Sequence, residues 1–196
     1  MRVQRVSGEL GDPAASGWSA VEGESVSLVP VPLDAQPTEY IRVKWAGQAY
    51  GTVTEAKVAA ASDGARLHVR LEWADSATPN GEFADAAAVF FPSGGDAPAA
   101  TIGSADASAN LWYWQANLAD AKSLVASGPG VFRPRGSNGV GASSSNEGGR
   151  WAVVLSGDLA DAQSGGKLGV AVWDGSNEER AGIGAVTASW VTLEIE

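Results

Sequence analysis

A chain of 196 residues is long enough to bury most of its apolar surface around one core, so a single domain over residues 1–196 is expected. A formal charge of −10 without any basic cluster disfavours nucleic acid and anionic membranes as partners, and the absence of cysteine excludes disulfides, thiolate zinc sites and cysteine-held iron–sulfur clusters. No window approaches the roughly 18–20 unbroken apolar residues of a membrane helix, and MRVQRVSGELGDPAASGW has no apolar leader core, which favours the cytoplasm, or the periplasm if a leader was trimmed or a partner carries the chain across.

In chain order, ESVSLVPVP (24–32), YIRVKWA (40–46) and TVTEAKVAAAS (52–62) alternate or run β-rich and are expected to be strands. The clearest strand is ARLHVRLEWAD (65–75), where Leu67, Val69, Leu71 and Trp73 alternate with His68, Arg70 and Glu72. AAAVFFP (86–92) and NLWYWQA (110–116) read as strands, and ANLADAKSLVA (116–126) as a short helix. RWAVVLSG (150–157), KLGVAVWD (167–174) and SWVTLEIE (189–196) complete the strand set. Residues 92–110 and the Gly/Ser-rich 127–149, with Arg133 and Arg135 near its centre, read as long loops. Together these elements imply an all-β antiparallel β-sandwich with long loops and at most one or two short helices.

The chemistry-bearing residues are few. His68 is the sole histidine, which removes Ser-His-Asp and multi-histidine metal sites, and its alternation turns it away from Leu67, Val69 and Leu71. Glu72, Asp75, Glu82 and Asp85 could form an acid/base pair, but beside Asn, Pro and Gly such residues read as turn caps. Asp174, Asn177, Glu178 and Glu179 do not match a calcium-loop spacing and read as a capped turn. Trp112 and Trp114 share one face of their strand, with Tyr113 on the other; core filling is preferred over a sugar platform or a flat cofactor's pocket. With no nucleophile–base pair and no phosphate-binding loop, the chain does not read as an enzyme in its own right.

Four segments, RLEWAD (70–75), FADAAAVFFP (83–92), IGSADASANLWYWQA (102–116) and AVWDGSNEERAGIGAVTASWVTLEI (171–195), carry a family resemblance in their order and spacing. They resemble the ethylbenzene-dehydrogenase-type haem-b (gamma) subunit of type II dimethyl sulfoxide reductase family molybdoenzymes, from about residue 40 onward. The resemblance implies a β-sandwich beside an iron–sulfur (beta) subunit and a molybdenum catalytic (alpha) subunit, relaying electrons through a haem b held by a methionine and a lysine. The methionine's place is filled by Ile102, before Gly103, and the lysine's by Gly184; Met1 is the only methionine. Neither Ile102 nor Gly184 can ligate iron, and His68, Lys44, Lys57, Lys122 and Lys167 fall at no matched position. Trp112, Trp114 and Arg180 are the expected pocket lining.

The leading expectation is therefore a non-catalytic accessory gamma subunit without Met/Lys-ligated haem and with no other cofactor, serving assembly or docking. One alternative is a haem-b electron-transfer subunit with substitute ligands. The other is a stand-alone module in which Trp112, Trp114 or the Arg133/Arg135 loop contacts a sugar or a protein.

Overall fold

A computed structural model describes residues 1–75, 83–94, 96–136 and 139–196. Its elements are β1 (Arg2–Arg5), β2 (Gly23–Pro30), α1 (Glu39–Trp45), β3 (Glu55–Ser62), β4 (Arg66–Ala74), β5 (Ala86–Pro92) and β6 (Ala109–Gln115). After these come β7 (Lys122–Ala126), β8 (Phe132–Pro134), β9 (Gly141–Glu147), β10 (Arg150–Asp158), α2 (Leu159–Gln163), β11 (Lys167–Trp173), β12 (Ala185–Thr187), β13 (Val191–Thr192) and β14 (Glu194–Ile195). Among the described residues no helix is long and apolar enough to cross a membrane.

The main strand order is β8-β7-β6-β5-β11-β12-β2-β3-β4-β10-β9, with β1 parallel to β3 and β14. β2 joins the two halves: Gly23–Ser27 pair with β3, while Leu28–Pro30 pair with β12. The halves face each other as an antiparallel sandwich, with Gly157 of β10 directly against the Trp112 ring of β6. A side chain at 157 would occupy the ring's space, so glycine sets how closely the two sheets approach.

Alternation decides what each strand buries. Leu67, Val69, Leu71 and Trp73 of β4 meet Val89 and Phe91 of β5, Trp112 and Trp114 of β6 and Val170 and Val172 of β11 in the inter-sheet core. The opposite face of the β5–β6–β11 sheet is apolar too, and the segment carrying Ala99 and Ile102 covers it. Leu10 and Trp18 cover the outer face of β3 and β10. His68 does turn away from the inter-sheet core, but it is buried on the outer face of β4 rather than solvated.

Three expected elements differ. Residues 40–46 form α1 instead of a strand: the Thr38 side chain caps it by accepting from Ile41 N, Glu39 opens the first turn, and Arg42 and Lys44 lie in the last. Its apolar residues split, with Trp45 buried and Tyr40 and Val43 exposed, a division that short-range alternation cannot distinguish from a strand. The expected helix over 116–126 is a turn followed by β7, because residues 122–126 complete the backbone pairing of β6. The expected loop 127–149 contains β8 and β9, and β9 pairs with β10 from Gly141 to Glu147.

Candidate functional site

The two positions that the resemblance assigns to axial ligands lie in segments that meet on the outer face of the β5–β6–β11–β12 sheet. Ile102 follows the 3-10 turn Ala99–Thr101 and closes it, its N–H donating to Ala99 O at 2.9 Å. It is 1% exposed and packs in one cluster with Phe90, Leu111, Trp173 and Val186. Its backbone is left-handed, φ 53° and ψ 56°, a conformation that costs a β-branched residue on the order of 1–3 kcal/mol and persists only where the surroundings impose it. Gly103 follows at φ 84°, where a Cβ would fall 2.9 Å from Ala126 O.

Gly184 lies against Trp173: a Cβ there would sit 2.6 Å from ring Cδ1 and 2.8 Å from Nε1. The indole donates its N–H to Ala181 O at 3.0 Å and packs edge-on against Tyr113 and Phe132. The loop between Trp173 and Gly184 is pinned from both sides. Gln36 Nε2 donates to Gly182 O at 2.6 Å, and Pro129 backs Gly182. The buried Glu179 carboxylate accepts from Gly51 N at 2.7 Å, Asp174 N at 3.1 Å and Asn177 Nδ2 at 3.0 Å. Burial pushes the Glu179 pKa up, against those hydrogen bonds, which pull it down.

These side chains do not fit a haem ligated at the two matched positions. Ile102 presents hydrocarbon, Gly184 presents no side chain, and the Trp173 ring occupies the space beside it. The neighbouring cavities measure about 230 Å³, beside Phe83, Tyr113, Trp173 and Arg180, and about 290 Å³, between α1 and residues 181–183. Both lie at or below the lower end of the roughly 300–1,000 Å³ of clefts that hold drug-sized ligands. Of the substitute donors, Lys57, Lys122 and Lys167 are exposed. His68 is on the other sheet with Nε2 3.4 Å from Asp63, its pKa lowered by burial. Lys44 alone borders the loop, pairing with Glu178 at 3.6 Å.

The residues expected to line a pocket lie on opposite sides of the β5–β6–β11 sheet. Trp112 and Trp114 face the inter-sheet core, on the opposite side of β6 from Ile102, and Tyr113 between them turns toward Trp173. Trp112 is 0% exposed and Trp114 5%, which makes them core filling. Arg180 does stand at the loop, its guanidinium 3.9 Å from the Phe83 ring centroid.

The aspartates of three of the resembling segments also converge: carboxylate oxygens of Asp75, Asp85 and Asp174 lie within 4.8 Å of one another. Their oxygen chemistry suits a hard cation, but hydrogen bonds already engage both Asp85 oxygens, from Gly175 N at 2.8 Å and Trp151 Nε1 at 3.0 Å. Asp174 caps the turn after β11, accepting from Ser176 and Asn177 N, as a capped turn requires. Glu72 pairs with Arg70 at 3.0 Å, and Glu82 lies outside the described residues. The sequence offers Asp75 and Asp85 among the members of a possible pair, but no local pattern announces that Asp174, about 90 residues further on, joins them.

The family described as Ethylbenzene dehydrogenase matches residues 15–147. The chlorate reductase subunit gamma of Ideonella dechloratans is 34% identical over 209 aligned positions, covering 98% of this chain and 84% of the relative. A protein of Haloferax mediterranei named as a respiratory nitrate reductase heme subunit is 30% identical over 185 positions, covering 87% of this chain. The match spans 63% of that second relative's own length.

Proposed function

This chain belongs to the ethylbenzene dehydrogenase family, and on that premise we propose that it is the gamma-type subunit of a molybdoenzyme complex of the dimethyl sulfoxide reductase superfamily. Its partners are an iron–sulfur (beta) subunit and a molybdenum catalytic (alpha) subunit, and it carries out no substrate chemistry itself. The names of its relatives, a gamma subunit of chlorate reductase and a heme subunit of nitrate reductase, support the role. Within it, this chain acts in assembly or docking without a Met/Lys-ligated haem. The observation that supports this finer reading is the packing of Gly184 on Trp173, where even a Cβ at 184 would fall 2.6 Å from the ring.

Expression with the genes encoding its partner subunits, followed by affinity capture of this chain and size-exclusion chromatography, tests the role. Stoichiometric recovery of a molybdenum subunit and an iron–sulfur subunit is expected. A monomer that captures neither would contradict it. A second reading, electron transfer through a haem with a substitute ligand, draws support from Lys44, whose side chain borders the same loop as Gly184. Haem in the captured complex that disappears in Lys44→Ala would establish it.

A further inference from the structure

A further cavity, of about 320 Å³, opens beside α2. Ser93 just after β5, Asn110 of β6, Arg135 just after β8, and Asp158, Asp161 and Ser164 in and around α2 line it. We propose that this cavity binds a small neutral polyhydroxylated ligand of monosaccharide size. The inference stands independently of the gamma-subunit role.

Asn110 points to a ligand. It is 9% exposed, and alternation along β6 places its side chain on the face of Trp112 and Trp114, toward α2. Its amide makes no side-chain hydrogen bond to any described residue, and its polar atoms open onto the cavity rather than into the core. One carbonyl and two N–H groups are therefore held at the cavity with their bonding capacity unused.

The surrounding groups are fixed and mixed in character. Asp161, 6% exposed, accepts from Trp112 Nε1 at 2.9 Å and from Arg135 Nη1 at 2.7 Å through the same oxygen. That ion pair cancels its own charge and leaves further guanidinium N–H donors. The Ser93 hydroxyl donates to Ser108 O at 2.8 Å and accepts from the Ser108 hydroxyl at 2.7 Å, which leaves it one further lone pair. Asp158 caps α2 through one oxygen, accepting from Ala160 N at 2.9 Å. Its carboxylate leaves the lining with a net negative charge, which together with the −10 of the chain opposes an anion. The Arg135 guanidinium opposes a metal ion. A hydroxyl both donates and accepts, so a ring bearing several of them satisfies a lining of amide, guanidinium, carboxylate and hydroxyl groups without bringing in charge.

Trp112 supplies the readout, because its indole N–H bonds the carboxylate that lines the cavity. The full chain, labelled with nitrogen-15, is titrated separately with D-glucose, D-galactose, D-xylose and glycerol, and with sodium acetate and triglycine as comparators. At least one of the first four is expected to give a saturable shift of the Trp112 indole resonance, with a millimolar Kd. Asn110→Ala and Arg135→Ala should each weaken that binding about tenfold, the scale of one lost hydrogen bond. Asn110→Ala removes an amide without a partner, so its melting temperature should match wild type, which separates lost binding from lost folding; Asn110→Ser gives a second test at the same position. The proposal is overturned if none of the four polyols saturates a shift, if only acetate or triglycine does, or if folded Asn110→Ala and Asn110→Ser bind as wild type does.

Discussion

Gly184→Ala tests whether the Trp173 ring has closed the space beside the matched ligand position. The new Cβ would lie 2.6 Å from Cδ1 and 2.8 Å from Nε1 of the ring, and 2.9 Å from Val172 O. The backbone carbonyl cannot yield cheaply, and the ring, 2% exposed, is held between Tyr113 and Phe132. Overpacking of this kind costs about 1–3 kcal/mol. Tilting the ring also strains or breaks its bond to Ala181 O, worth about 1 kcal/mol. The total of about 2–4 kcal/mol corresponds to a fall in Tm of about 4–16 °C for a domain of this size. Thermal melts followed by near-ultraviolet circular dichroism measure it. In a Trp173→Leu background the alanine should cost less than half as much, because the two ring contacts are gone and only the contact with Val172 O remains. A Tm within about 2 °C of wild type, or strictly additive effects in the double mutant, would refute the reasoning.

Ile102→Met should leave Tm within about 3 °C of wild type or raise it, since volume is conserved at a cost below about 1.5 kcal/mol while the β-branched strain at φ 53° is relieved. Ile102→Ala, which empties a 1%-exposed site, should cost about 2–5 kcal/mol in the same melts. Trp151→Phe removes the donor to Asp85 Oδ2 and should cost about 1–3 kcal/mol in urea unfolding, with an unchanged m-value. Burial lowers the His68 pKa below its ordinary 6.5, so its neutral form stabilises the fold fully above that pH, and the contribution is lost as pH falls below 6.5 toward the lowered value. His68→Gln should therefore lose less stability than wild type between pH 7 and pH 5 in urea titrations at about 25 °C. Glu179, raised by burial above its ordinary 4.5, contributes most below 4.5 and loses that contribution as pH rises, the opposite sign, which the comparison with the variant cancels.

Sequence patterns were most legible where one sheet face is buried and the side-chain period is two. β4 shows it: Leu67, Val69, Leu71 and Trp73 alternate, and the strand follows that alternation into the core, whereas β10 is an apolar run from Trp151 to Leu155 buried on both faces. β9, reading GASSSNE, carries no apolar alternation and forms because β10 offers it a backbone edge. β7 reads as helix in sequence for the same reason, since its pairing partner lies on another strand and not within its own segment. In α1, the Thr38 cap and the basic last turn were helix signals that alternation of Ile41, Val43 and Trp45 concealed. At the site, the resembling segments located Ile102 and Gly184, but only the fold reveals that Trp173 packs on Gly184. The bond from Gly51 to Glu179 spans 128 residues, and no local pattern announces it.

A reduced-minus-oxidised visible spectrum with haem extraction, recorded on this chain purified together with its partner subunits, tests most directly whether the ligand positions have been given up. No six-coordinate low-spin b-type haem on this chain is the expected result. About one such haem per chain, with two side chains of this chain bonded to its iron, would contradict it.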